Sequence, residues 1–265
     1  GVAAVPTLRF LIATIAEHAI LYGAGAVLTL RYGPSTCCAT ARRPSLDPRR
    51  RLAQACLTMP VPLVNAARRL RRQLQKLTFS PPVTHVYNPL DYARAAHEQY
   101  LTRWSDAPKK VLFLGMNPGP WGMAQTGVPF GEVAAARDFV GIDAHVGRPS
   151  PQHPRRAVEG LSCSRSEVSG RRLWGLFAER FSTPERFFAD HFVVNYCPLM
   201  FLEETGRNRT PDKLPVAERD AITGPCDDHL RAVAATLQPE WIIGVGRFAL
   251  DCARRTHGEI DYPHI

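Results

Sequence analysis

An α/β fold, a parallel sheet covered on both faces, is what this sequence predicts, and two observations predict it. Three short, β-rich and continuously apolar runs stand at wide spacing, over residues 111–116, 192–199 and 241–245. Between and after them lie helical patterns at 171–181, 216–237 and 247 to about 255. Strands that are apolar on both faces and alternate with helices belong inside, under helical layers. Such sheets bind ligands beyond the carboxyl ends of their strands, so the residues leaving each strand are the place to look for chemistry.

The 265 residues suffice for one well-cored domain plus an appendage, and 45% apolar with 22% charged residues is ordinary for a globular protein. The seven cysteines (37, 38, 56, 163, 197, 226 and 252) are odd in number, scattered, and lack CxxC or Cys/His spacing. Neither a disulfide framework nor a metal site is therefore encoded, and a reducing compartment is the simplest reading. The net charge of +9 suggests a nucleic-acid partner until its distribution is checked. Residues 1–77 hold twelve Arg/Lys against Glu17 and Asp47, which leaves 21 basic against 22 acidic residues in 78–265. Bulk electrostatics thus places the basicity in the appendage, and DNA binding by the folded part must rest on local motifs.

Residues 10–30 are nearly all apolar and long enough to cross a bilayer. They make a poor signal peptide, and Glu17 in mid-span costs about 3 kcal/mol on insertion scales, so an extra helix or non-native sequence outweighs a membrane span. Residues 32–62 carry Pro, Arg and Ser clusters without a period and read as linker. From Val64 to Leu77 the apolar positions Val64, Ala67, Leu70, Leu74 and Leu77 recur at helical spacing among Arg68, Arg69, Arg71 and Arg72. This amphipathic basic helix could lie on DNA or carry a nuclear address, although a solvated charged face is the commoner explanation. Asn88-Pro89 marks a turn, and Asp91 is a plausible cap for a helix running to about Trp104.

After the first strand comes Gly115-Met116-Asn117-Pro118-Gly119-Pro120-Trp121-Gly122-Met123-Ala124-Gln125-Thr126-Gly127-Val128-Pro129-Phe130-Gly131-Glu132-Val133. Five glycines and three prolines in these nineteen residues set up a rigid, close-approach loop suited to a flat polar ring. Phe130 offers a stacking face, Asn117 an amide for water or a substrate oxygen, and Met116, Gly119 and Met123 a wall. No phosphate-loop lysine follows.

This string closely resembles the first motif of the single-strand-selective monofunctional uracil-DNA glycosylases. The resemblance extends over roughly residues 64–256. It takes in Phe79-Ser80-Pro81-Pro82-Val83, Tyr87-Asn88-Pro89, Ser166-Glu167-Val168-Ser169-Gly170-Arg171 leading into Trp174-Gly175, Asn195-Tyr196-Cys197-Pro198-Leu199, Gly206-Arg207-Asn208-Arg209-Thr210-Pro211 and Gly244-Val245-Gly246-Arg247. It implies a three-layer α/β/α sandwich around a short parallel sheet, and a DNA repair enzyme that hydrolyses the glycosidic bond of an extruded uracil to leave an abasic site.

The resemblance also assigns roles. Asn195 pairs with the uracil edge, Phe130 stacks beneath it and the Met116 backbone hydrogen-bonds the ring. Gly119 and Met123 form the wall that accepts 5-hydroxymethyluracil and other oxidised pyrimidines while rejecting thymine. Asn117 positions the attacking water, and no lysine stands in the motif to form a Schiff base. Gly206, Arg207, Asn208, Arg209, Thr210, Lys213 and Arg219 fall in the stretch that touches DNA. The implied protein is a monomer in the nucleus that acts on single- or double-stranded DNA without metal or cofactor.

The family's His-Pro-Ser-Pro loop does not occur in this sequence, and neither His257 nor His264 has a matching context. The expectation is therefore an atypical appendage over 1–62 and a glycosylase domain over 63–265, its fourth strand and last helix missing and its sheet edge bare. Two readings of function follow: a monofunctional glycosylase, and a binder of damaged DNA that does not cleave. A membrane-tethered protein, a third, rests wholly on residues 10–30.

Overall fold

The computed structural model describes residues Val27–Arg31 and 61–258. The described strands are β1 (Val27–Arg31), β2 (Val83–Tyr87), β3 (Val111–Gly115), β4 (His191–Asn195), β5 (Met200–Glu203), β6 (Asn208–Arg209) and β7 (Trp241–Val245). The α-helices are α1 (Pro62–Leu74), α2 (Pro89–Tyr92), α3 (Arg94–Trp104), α4 (Met123–Thr126), α5 (Val168–Phe181), α6 (Pro184–Phe188), α7 (Val216–Leu237) and α8 (Arg247–His257).

The three predicted apolar runs form the parallel heart of a sheet ordered β1-β7-β3-β4. Every residue of β3 and β4 is buried, which is why these strands read as unbroken apolar sequence. Register shows how both faces are covered. Leu112 pairs with Phe192 and Phe113 with Val193, so Phe113 and Phe192 point to opposite sides of the pleat. Phe192 stacks on Tyr100 of α3, with ring centroids 5.0 Å apart, while Phe113 packs on Phe177 of α5 and Phe187 of α6. The result is the expected three-layer sandwich.

Several expectations require correction. The run expected over 192–199 splits: β4 ends at Asn195, and after Pro198, which has no N–H to donate, the chain enters β5. There it joins a second, antiparallel sheet, β2-β5-β6. The first strand likewise ends at Gly115, before Met116. Asp91 does not cap the helix ending at Trp104: α3 begins at Arg94 with Ala93 at its N-cap and no side-chain cap. Asn88 caps the short α2 by accepting from the Leu90 N–H at 3.1 Å, and Asp91 takes the Arg71 guanidinium at 2.5 Å. Arg68 is held by Glu98. Two of the four arginines on α1 are thus bound to neighbouring acids.

The bare sheet edge is also corrected. β1 lies antiparallel on β7, from Val27 opposite Val245 to Arg31 opposite Trp241, so part of the supposed appendage is a strand rather than a helix and covers that edge. The remaining calls on the appendage, over 1–26 and 32–60, lie outside the described residues, as do 259–265. Among the described residues no helix is long and apolar enough to cross a membrane.

Histidines make the interior sensitive to acid. Burial pushes the pKa of His97, His191 and His229 down, the last to about 3, with His97 and Arg69 adding repulsion at His229. His97 Nδ1 bonds the Gly127 carbonyl at 2.7 Å, and His229 Nδ1 is sealed from solvent with no partner. A histidine whose folded pKa is depressed supports the fold above about pH 6.5 and withdraws that support as pH falls toward the folded value. Between about pH 6.5 and the folded value near 3, His229 should therefore withdraw up to about 1.4 kcal/mol of stability per pH unit, with His97 and His191 adding in the same direction, read as the urea midpoint at pH 7, 5.5 and 4.5. His229→Gln should flatten that slope, and an unchanged slope would remove His229 from the account.

Candidate active-site cleft

The carboxyl ends of β3 and β4 set the base of the site. Gly115 and Asn195 are paired neighbours there, and the ladder continues as Tyr196 N–H to Gly115 O and Cys197 N–H to Met116 O, both 2.9 Å. A Cβ on Gly115 would sit closer than 3.0 Å to both Asn195 Oδ1 and the Phe130 ring. The missing side chain at 115 is what allows the carboxamide and the aromatic edge to converge.

Phe130 is held in place at a conformational cost. Its φ is 54°, in the left-handed region that non-glycine residues avoid. Surrounding bonds fix the loop: Trp174 Nε1–H donates to Pro129 O at 3.2 Å, Thr126 Oγ1 to Gly131 O at 2.8 Å, and Phe130 O accepts from Glu132 N–H at 2.7 Å. Gly170 of α5 lies against the Phe130 carbonyl, and a Cβ there would overlap that oxygen and come within 3.1 Å of Glu132 N. Gln125 ties the other half of the loop through Nε2 to Pro120 O and Ala157 O, both 3.0 Å.

Within this frame a cleft of about 200 Å³ is lined by Asn117, Gly119, Met123, Phe130 and Asn195, together with Pro118, Gly122, Glu167, Ser169 and Asn208. Five of the six loop and strand-end residues chosen from sequence thus share one cavity. Met116 does not line it. Asn117 Nδ2–H donates to Leu199 O at 3.2 Å, which turns its oxygen into the remaining acceptor. Asn195 is 8% exposed, its Nδ2 lies 3.3 Å from Met123 Sδ, and its Oδ1 is buried with no partner. An orphaned buried acceptor costs about 1–3 kcal/mol, so this oxygen is set to receive a donor from a ligand.

The 206–219 stretch divides. Asn208 turns inward, donating to Pro118 O at 3.0 Å, with its own Oδ1 buried and unpaired. The Arg209 guanidinium is committed within the fold, to Glu203 at 2.8 Å and Lys213 O at 2.9 Å. Gly206 turns with φ 79° beside Arg155 and Arg156, Thr210 O accepts from Lys213 N–H at 3.0 Å, and Arg207 and Lys213 are exposed. Arg219 is half-buried in the first turns of α7.

Sequence reasoning missed Glu167 and Ser169 as cleft residues. Their string was noticed, but nothing in its spacing shows that the start of α5 crosses the mouth of a loop some forty residues earlier. Among the described residues no group of acids, histidines and cysteines is arranged to hold a metal ion.

The two glycines of α5 make a matched pair. Gly170→Ala should cost about 1–3 kcal/mol in urea unfolding, because the new methyl meets the Phe130 carbonyl. Gly175, with nothing within 4 Å of its would-be Cβ, should instead gain up to about 1 kcal/mol as alanine. Equal effects at both sites would refute the close approach.

Comparisons with known proteins place the chain in a family. A family model described as Uracil DNA glycosylase superfamily matches residues 103–263. The single-strand selective monofunctional uracil DNA glycosylase of Mus musculus is 50% identical over 187 residues, covering 71% of this chain and 67% of that protein. Its Bos taurus counterpart is also 50% identical, over 71% of this chain and 69% of its own. The crystal structure of wild-type SMUG2 from Pedobacter heparinus matches with a TM-score of 0.45 and 19% identity, over 64% of this chain and 70% of that one. On the family match and the 50% identity, the chain belongs to the uracil-DNA glycosylase superfamily, in its single-strand-selective monofunctional branch.

Proposed function

We propose that this protein hydrolyses the N-glycosidic bond of uracil, and of oxidised pyrimidines such as 5-hydroxymethyluracil, in single- and double-stranded DNA. The observation that carries the reading is the Asn195 carboxamide, whose buried oxygen has no partner and faces the same point as the Phe130 ring. A pyrimidine lying on Phe130 presents its edge to that amide. Uracil donates from N3–H to Oδ1 and accepts at O4 from Nδ2, which exchanges only a weak contact with the Met123 sulfur. Cytosine offers the opposite pattern, leaving two buried groups mispaired at about 1–3 kcal/mol each.

The target nucleotide must leave its stack to reach a cleft this small, most readily in a single strand. Asn117, with its nitrogen tied to Leu199 O, accepts through Oδ1 from the attacking water and holds it near the sugar as the bond breaks. An amide is a poor base, so the work is positioning. The products are free base and an abasic site. Exposed Arg207 and Lys213, with Gly206, Thr210 and Arg219, contact the phosphate backbone without reading sequence, while Asn208 reaches the cleft beside Pro118. The protein acts as a monomer in the nucleus, without metal or cofactor.

The test is single-turnover release of uracil from a single-stranded oligonucleotide, scored as alkali-labile abasic sites, alongside binding by anisotropy. Asn117→Ala should slow release by about 10²-fold or more with binding retained. Gly115→Ala should weaken binding sharply, because its methyl would collide with the Asn195 oxygen and the Phe130 ring and push both out of place. Wild-type protein that binds the uracil strand but releases nothing would establish the non-cleaving reading instead.

A further inference from the structure

The sequence resemblance attributes selectivity at the pyrimidine 5-position to a wall near Gly119 and Met123. The structure shows what stands at that wall. The Glu167 side chain reaches from the residue before α5 over the loop, its Cγ and Cβ lying 3.1 and 3.3 Å from where a Cβ on Gly122 would be. Its carboxylate fills the place of a side chain at Gly119, with Cδ and Oε1 at 2.5 and 2.6 Å from the ideal Cβ. Glycine at 119 is thus what admits the carboxylate. Among the residues lining the cleft, Glu167 is the only charged one.

Its position around the cleft can be traced from Asn195. The amide nitrogen touches Met123, Met123 follows Gly122, and Gly122 and Gly119 both lie under Glu167. In a uracil paired as above, that nitrogen serves O4, and the next ring atom away from N3 is C5. The 5-substituent therefore faces the Glu167 carboxylate. Oε2 already accepts from Trp121 N–H at 3.0 Å, whereas Oε1 has only Ser169 Oγ at 3.5 Å and retains accepting capacity. Arg165 and Arg156 lie over the neighbouring Trp121 ring, at 4.5 and 5.4 Å from its centroid.

We propose that Glu167 determines specificity at the 5-position, its carboxylate accepting a hydrogen bond from a hydroxyl-bearing substituent and disfavouring a methyl. A carboxylate only accepts, so a hydroxymethyl group satisfies it. A methyl strips water from an anion and returns nothing. The inference rests on the uracil reading of the cleft and deepens it.

The experiment measures binding without cleavage, using single-stranded oligonucleotides whose 2′-fluorinated target nucleotide resists hydrolysis and carries uracil, 5-hydroxymethyluracil or thymine. Glu167→Leu should lose about tenfold, or 1.4 kcal/mol, on 5-hydroxymethyluracil. Uracil should stay within about twofold and thymine should gain. Glu167→Gln, whose amide oxygen can still accept from Trp121 N–H, should retain the fold and lose less, with thermal unfolding as the check. Equal losses on uracil and 5-hydroxymethyluracil would overturn the proposal and reduce Glu167 to a brace for the Gly119–Trp121 turn. No change in any ratio would overturn it too. Wild-type protein that holds none of the three probes would refute the glycosylase reading, and this proposal with it.

Discussion

The site depends on one absence, the side chain missing from Gly115 at the carboxyl end of β3. Parallel pairing sets Asn195 beside it, and the lack of a Cβ lets the Asn195 carboxamide and the Phe130 ring approach the same small volume. Any larger residue at 115 would collide with both and force them apart. The same device recurs twice: Gly170 lets α5 lie against the backbone of Phe130, and Gly119 admits the Glu167 carboxylate. Three close approaches, each made possible by hydrogen in place of carbon, build a cleft between a sheet and a helix.

Such a cleft carries energetic debts, and the core offsets them. Phe130 sits at positive φ, and Asn195 and Asn208 each bury an acceptor without a partner. Strain and unsatisfied groups of this kind persist only where the surroundings over-determine them. Here the surroundings are aromatic: Trp174 bonds Pro129 O and packs on Phe177, Phe187 and Phe188, which continue to Phe113 in the sheet. The loop is held rigidly because its clamp belongs to the hydrophobic core rather than to the surface.

Much of this was legible in the sequence and some of it was not, for physical reasons. Strands β3, β4 and β7 announced themselves because burial on both faces forces continuous apolar runs, and the loop from Gly115 to Val133 because its glycines and prolines are dense and ordered. Asn195 was legible as the residue at a strand end. The pairing of Val27–Arg31 with β7 was not, because an apolar run carries no record of its partner strand and the segment is embedded in a longer one. Nor was the ion pair of Arg209 with Glu203, which joins the two strands of a hairpin that the sequence shows only as a run of polar residues. The place of Glu167 in the cleft was hidden because it depends on tertiary crossing, and no local spacing reports that.

The chain also shows why net charge is a poor guide to a nucleic-acid enzyme. From residue 78 onward the charges almost cancel, and two arginines of the basic helix α1 are bound to acids on α2 and α3. The cleft itself is lined instead by a few acceptors: Asn195 Oδ1, Asn117 Oδ1 and the Glu167 carboxylate. Acceptors discriminate more sharply than apolar walls. A wall loses only a little packing to a wrong ring, whereas a buried oxygen deprived of its donor forfeits about 1–3 kcal/mol. A cleft lined in this way recognises its ligand chiefly by what it refuses to leave unpaired.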